Sequence, residues 1–108
     1  PSSVSEAQGL EAVFRCHYQE EEGFGVTYDW AIDNNLVIID TPTVRARPPS
    51  SIGEPATLTI LATPEQNNSI IQCVAVVRDG IAIVRSEVTT LATLIIQGEL
   101  QAHTNNIV

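Results

Sequence analysis

The residues from which this sequence could build chemistry are few: Cys16 and Cys73, His17 and His103, and the acid run Glu20-Glu21-Glu22 with Asp29 and Asp33 beyond it. The histidines stand far apart in the chain, and His103 falls in "GELQAHTNNIV", which reads as a linker. No shaped nucleophile motif of a hydrolase and no glycine-rich phosphate loop occurs. The carboxylates could in principle gather around calcium, but that ion takes roughly six to eight oxygens in defined positions and no D-x-D-x-D-G pattern is present. The run therefore reads as a solvated loop. These residues lead to the expectation of no enzyme, no metal and no cofactor. The cysteines pose a different question, since each sits in an apolar run, "EAVFRCHYQ" and "NNSIIQCVAVV", and each is the other's only candidate partner.

The elements that must position them are strands. Val-, Ile-, Thr- and Leu-rich segments recur at residues 12–18, 26–32, 36–39, 57–62, 70–77 and 91–97. Between them lie turn formers: "EEEGFG", "DNN", "RPPSSIGEP", "TPEQNN" and "RDG". No helical stripe is sustained and no internal repeat occurs. Short strands separated by turns predict an all-β antiparallel sandwich or barrel.

Alternation divides each strand into two faces. In "AVFRCHY" it groups Phe14, Cys16 and Tyr18 against Val13, Arg15 and His17, whose charge marks the wet side. In "VTYDWAID" it puts Trp30, the single tryptophan, with Val26, Tyr28 and Ile32 on the inner side. Around the second cysteine it sets Ile71, Cys73, Ala75 and Val77 against Ile70, Gln72, Val74 and Val76. The two cysteines thus lie at the centres of inward-facing strands.

Composition bounds the rest. The chain is long enough for one hydrophobic core and too short for two, and with 44% hydrophobic and 17% charged residues it is globular. Thirteen acidic residues against five arginines, with no lysine, give a net charge of −8. That field repels phosphate backbones, so neither nucleic acid nor an anionic membrane surface is expected as a partner. No apolar run approaches the ~18 residues of a membrane helix. With Pro1 first and no signal-peptide pattern, the sequence is expected to be a fragment of a larger protein.

Cys16, Trp30 fourteen positions later (30 − 16) and Cys73 fifty-seven positions after the first (73 − 16) resemble the B-strand Cys, C-strand Trp and F-strand Cys of the immunoglobulin superfamily. The approach to Cys73, "LTILATPEQNNSIIQC", has the spacing of the family's motif L-x-I-x-x-V-x-x-x-D-x-G-x-Y-x-C. Leu58, Ile60 and Cys73 fit it outright, while Thr63, Asn67, Ser69 and Ile71 take the places of Val, Asp, Gly or Ala, and Tyr. "LATLIIQG" resembles a family G strand, so the likeness covers about residues 4–97. Two departures stand out. Ile71 replaces the tyrosine-corner residue, leaving Asn67 and Asn68 to hold that corner, and the last strand lacks the F/W-G-x-G of rearranging variable domains. The cysteine spacing suits an intermediate or compact variable-like set.

The resemblance implies a two-sheet antiparallel Greek-key immunoglobulin-like sandwich over residues 1–98, with residues 99–108 as a C-terminal linker or tail. It implies a Cys16–Cys73 disulfide packed on Trp30, in a core with Phe14, Leu58, Ile60 and Ile71. The alternative is a pair of buried thiols in a cytosolic domain of the muscle type, but a single well-spaced pair with no other cysteine is what an oxidising compartment produces. Asn67-Asn68-Ser69 is an N-x-S sequon in the expected E–F turn, a candidate N-glycosylation site at Asn67 if the protein is extracellular.

With no chemistry expected, function rests on outer faces. On the sheet of strands G, F and C, the outward set includes Ala31, Val74, Val76 and Ile95, an apolar face where a solvated sheet would be polar. The opposite sheet, with Val13, Arg15 and His17 beside Thr57, Thr59 and Leu61, is more mixed. "VVRDGIAIVRSE" adds a type I′ hairpin signal at Asp79-Gly80, with Ile81 at its tip and Arg78 and Arg85 on its arms as a polar rim, the alternative being that Ile81 and Ile83 begin a long G strand. The expected function is an extracellular module of a cell-surface receptor or adhesion protein, meeting a homophilic or heterophilic protein partner through this face and hairpin beside neighbouring immunoglobulin-like domains. The alternative is a structural spacer domain in a multidomain rod with no ligand of its own.

Overall fold

The computed structural model describes residues 2–19, 22–51 and 53–97. The expected linker at residues 99–108, with His103, and the acids Glu20 and Glu21 lie outside the described residues.

Among the described residues eight strands form: β1 (Ser2–Ala7), β2 (Glu11–Cys16), β3 (Gly25–Ile32), β4 (Asn35–Leu36), β5 (Val44–Arg47), β6 (Ala56–Leu61), β7 (Ser69–Asp79) and β8 (Ala82–Gln97). The large sheet has five strands in the order β1-β8-β7-β3-β4, and the small sheet three in the order β2-β6-β5. Sequence neighbours pair within a sheet at β3-β4, β5-β6 and β7-β8, and the chain crosses between the sheets at every other connection, the pattern of a Greek-key sandwich. All pairings are antiparallel except that of β1 with β8, which is parallel. The one parallel pair stands at the edge of a sandwich that is otherwise antiparallel, as expected. No hairpin joins β1 to β8, so nothing in the connection dictates an antiparallel course. Instead the chain leaves β1 for the other sheet: Gln8 N–H donates to Gln97 O at the end of β8 and Gly9 N–H to Ala62 O just past β6. Gly9 makes the step with a φ of 90°, a conformation open to glycine.

Alternation builds the core. β2 turns Ala12, Phe14 and Cys16 inward, β6 turns Ala56, Leu58 and Ile60, and β7 turns Ile71, Cys73, Ala75 and Val77. Trp30 lies beside Cys73 as its register partner on β3, and both belong to the buried cluster. Cys16 and Cys73 form a disulfide between the two sheets, S–S 2.09 Å, which answers the question raised by the lone pair. Each sulfur is cut off from water, with no free cysteine left over.

Four strands depart from expectation. β1 and β5 are not among the strand segments read from the sequence, yet they pair at the sheet edges. Of the apolar run at 36–39 only Leu36 lies within a strand, Val37 N–H still donates to Trp30 O at 2.8 Å, and Ile38 and Ile39 are exposed because the chain then turns away toward β5. β8 begins at Ala82, well before the expected start at residue 91.

Candidate protein-interaction face

The side chains of the outer face are set by register, because directly opposed residues on neighbouring strands share a side. With Cys73 inward, Val74 points outward between Asp29 on β3 and Val88 on β8. Gln72 lies between Ala31 and Leu91, Ile70 opposes Thr93, and Ala31 opposes Leu36. Ile95, on the same side of β8, faces Ser5 of β1. The most exposed apolar strand residues of this surface are Ile83, opposite Arg78, at 60%, Leu36 at 57%, Val88 at 55%, Ile70 at 49% and Leu91 at 42%, while Val74, Ala31 and Ile95 are half-buried. Alternation alone could place Ile70 on this side. Val88 and Leu91 needed the pairing register, and Leu36 the short β4.

Charge is nearly absent from this face. Among the described strand residues that point outward from the large sheet, only Asp29 and Arg78 are charged. The outer side of the small sheet is the opposite case, with Glu11, Arg15, Arg45 and Arg47 spread among Val13, Thr57, Thr59 and Leu61. There Arg45 pairs with Glu11 at 2.9 Å and Arg47 with Asp40. Depletion of charge, more than bulk hydrophobicity, distinguishes the centre of a protein interface from ordinary surface.

Two residues of the expected face differ from expectation, one covered and one on the other side. Val76 points outward but is only 5% exposed. Its register partner on β3 is Thr27, and Arg78 Nε donates to Thr27 Oγ1 at 3.4 Å, so the arginine stem runs across the valine and covers it. Arg85, expected on the rim, is on the inner side, opposite Val77. Its Nε donates to the Tyr18 hydroxyl at 3.1 Å and lies 3.4 Å from Glu87 Oε2, and its guanidinium sits 5.9 Å from the Tyr18 ring centre. The Tyr18 hydroxyl in turn donates to Glu87. This group closes the hairpin end of the sandwich, and the bond to Tyr18, followed by attraction to Glu87, raises the Arg85 pKa, keeping it charged.

The reason for the exchange of sides is a pair of bulges. The β7–β8 register slips between Cys73 and Val74, where Thr89 is the extra residue, and again between Val77 and Arg78, where Val84 is. A bulge resets alternation on its own strand. At the first, Thr89 and Thr90 both turn inward. The Thr89 hydroxyl donates to the Cys16 sulfur at 2.7 Å and the Thr90 hydroxyl to Arg15 O at 3.0 Å, tying β8 to β2 beside the disulfide.

The turns are set by a few residues. Asp79 pairs with Ala82, so the hairpin loop is Gly80-Ile81 rather than Asp79-Gly80. Positive φ at Gly80 alone, 65°, is the II′ pattern and not the I′ expected. It presents Ile81 to solvent at 96% exposure. The I′ pattern occurs instead at Asp33-Asn34, with φ of 51° and 69°, between β3 and β4. At the corner before β7, a short 3₁₀ turn, Pro64–Gln66, replaces the tyrosine anchorage, and the Asn67 Oδ1 accepts from Ile96 N–H of β8 at 2.9 Å. Asn68 contributes its backbone, donating to Leu94 O at 2.7 Å.

Asp40 is held below its ordinary pKa, first by the hydrogen bond from Ala46 N–H and then by the Arg47 guanidinium. Among the described residues, no three His, Cys, Asp or Glu come together around a common point. An apolar cleft of about 260 Å³ opens between the sheets over Trp30, walled by Tyr28, Ala46, Pro48 and Ala56. No described helix is long and apolar enough to cross a membrane.

The chain matches no known protein family and no curated protein. The all-β sandwich and its inter-sheet disulfide are compatible with an immunoglobulin-like domain.

Proposed function

We propose that this chain is an immunoglobulin-like module of the intermediate or compact variable-like kind, belonging to a cell-surface receptor or adhesion protein and without catalytic activity of its own. It recognises a protein partner through the outer face of the large sheet and the hairpin tip at Ile81. The observation that carries this reading is the contrast between the two outer faces: one apolar and nearly free of charge, the other charged and internally paired. A disulfide closed across the sheets fits an oxidising compartment.

Burying about 300 Å² of such a face at ~25 cal/mol per Å² gives a gross gain of roughly 7 kcal/mol. Association itself costs ~4–15 kcal/mol, so a single copy binds weakly and contact between opposed cell surfaces depends on several copies acting together. Asp29 and Arg78, of opposite sign at separate points of the face, fix the orientation of the partner.

The test is sedimentation of the chain over a wide concentration range, together with cell staining by a tetramerised chain. Each is repeated on Val74→Glu with Val88→Lys, an opposite-charge pair on register partners that preserves strand pairing. Loss of association or staining with an unchanged melting temperature supports the reading. No association and no staining by the parent chain would favour the spacer domain.

A further inference from the structure

We infer that Asn67 carries an N-linked glycan and divides its amide between two tasks, with Oδ1 clamping the last strand and Nδ2 bearing the sugar. The inference rests on the extracellular reading above. Asn67 is the acceptor of the Asn67-Asn68-Ser69 sequon and is solvent-exposed at the end of the 3₁₀ turn. Its orientation is fixed by chemistry: the group 2.9 Å away is the Ile96 N–H, a donor, so the atom facing β8 must be the carbonyl oxygen. Nδ2 then points away from that contact and makes no hydrogen bond among the described residues.

The modification leaves the clamp intact. Nδ2 attacks the anomeric carbon of a polyprenyl-diphosphate-linked oligosaccharide, the bond from that carbon to the diphosphate oxygen breaks, the diphosphate leaves with the electron pair, and Nδ2 gives up one proton. The product is still a secondary amide whose oxygen accepts from Ile96 N–H. The attachment point lies at the corner where β8 ends, at the opposite end of β7 from Gly80-Ile81, so the sugar leaves the hairpin tip clear.

The order of events is also set. Ser69, the hydroxyl residue of the sequon, is 3% exposed and donates to Gln66 Oε1 at 3.1 Å. A transferase that must contact this hydroxyl reaches it only before the corner folds, so the sugar is added to the emerging chain and not to the folded domain.

The experiment is secretion of the whole chain from a eukaryotic cell, followed by intact mass with and without peptide N-glycosidase. The expected result is one enzyme-sensitive glycan, absent from Asn67→Asp, which keeps an acceptor for Ile96 N–H and folds, and present on Asn68→Gly, which suits the φ of 69° at that position and keeps the sequon. Folded, disulfide-linked chain made without glycan should accept none from a microsomal transferase, whereas the reduced, unfolded chain should accept it. A disulfide-linked secreted chain with no glycan overturns the inference alone. A secreted chain whose cysteines stay reduced overturns the extracellular reading and this inference with it. Equal modification of folded and unfolded chain overturns the order of events.

Discussion

Replacing Cys16 and Cys73 together by alanine removes the covalent tie between the sheets at the centre of the core. The bond closes a loop with a sequence separation of 57. In the chain-entropy account, a loop of that size restricts the unfolded ensemble by about 14 cal/mol per K, or ~4 kcal/mol at 25 °C. Both side chains are fully buried beside Trp30, so the lost sulfurs also leave a small void, while Thr89 gives up its 2.7 Å contact to Cys16 and keeps only Cys73 O at 3.5 Å. A domain of this size has ~5–15 kcal/mol in all, so the variant is left close to its folding threshold. With a urea m-value of about 1–3 kcal/mol per M, the midpoint should fall by at least ~1.3 M, read by Trp30 fluorescence and by far-UV circular dichroism in parallel. Coincident midpoints for parent and variant would refute the reasoning, because they would mean that the bridge constrains nothing the fold does not already constrain.

The clamp at the corner predicts that Asn67→Ala loses ~1 kcal/mol of stability in the unglycosylated chain, with Asn67→Asp close to the parent at neutral pH, both read by urea titration. Val76→Lys should destabilise the fold by ~1–3 kcal/mol, since the position is covered, whereas Val74→Glu on the same strand should cost well under that; equal costs would contradict the placement of Arg78 across Val76. For Asp40, whose folded pKa lies below its unfolded value, the stabilising contribution is present above the unfolded pKa, about 3.9, and is lost as pH falls through the lower folded value. An NMR titration should find its carboxyl midpoint below that of a free aspartate and moved up toward it in Arg47→Ala.

The parts legible in the sequence were those governed by an unbroken period of two. Around Phe14, Cys16, Trp30, Ile71 and Cys73 the alternation is regular, and burial follows it residue by residue. What escaped had local causes. β1, "SSVSEA", and β5, "VRAR", are edge strands whose residues look like loop and whose pairing is supplied by β8 and β6. The side to which Arg85 points escapes simple alternation because the bulges at Val84 and Thr89 reset the count on β8, and no residue type announces a bulge. Ile38 and Ile39 looked like strand because they are β-branched, but propensity does not supply a partner once β4 has ended. The cover over Val76 came from Arg78, a long side chain folded along the sheet rather than away from it.

The account's central claim is that recognition belongs to the outer face of the large sheet. Its most direct measurement is cell staining by the tetramerised chain carrying one of two charge pairs, Val74→Glu with Val88→Lys on the large sheet or Val13→Glu with Thr59→Lys on the small one, each joining register partners on an exposed or half-buried site. The account predicts that the first pair lowers staining at least tenfold at an unchanged melting temperature and that the second leaves it at the parental level. Equal staining by the two variants, or loss confined to the small-sheet pair, would contradict it.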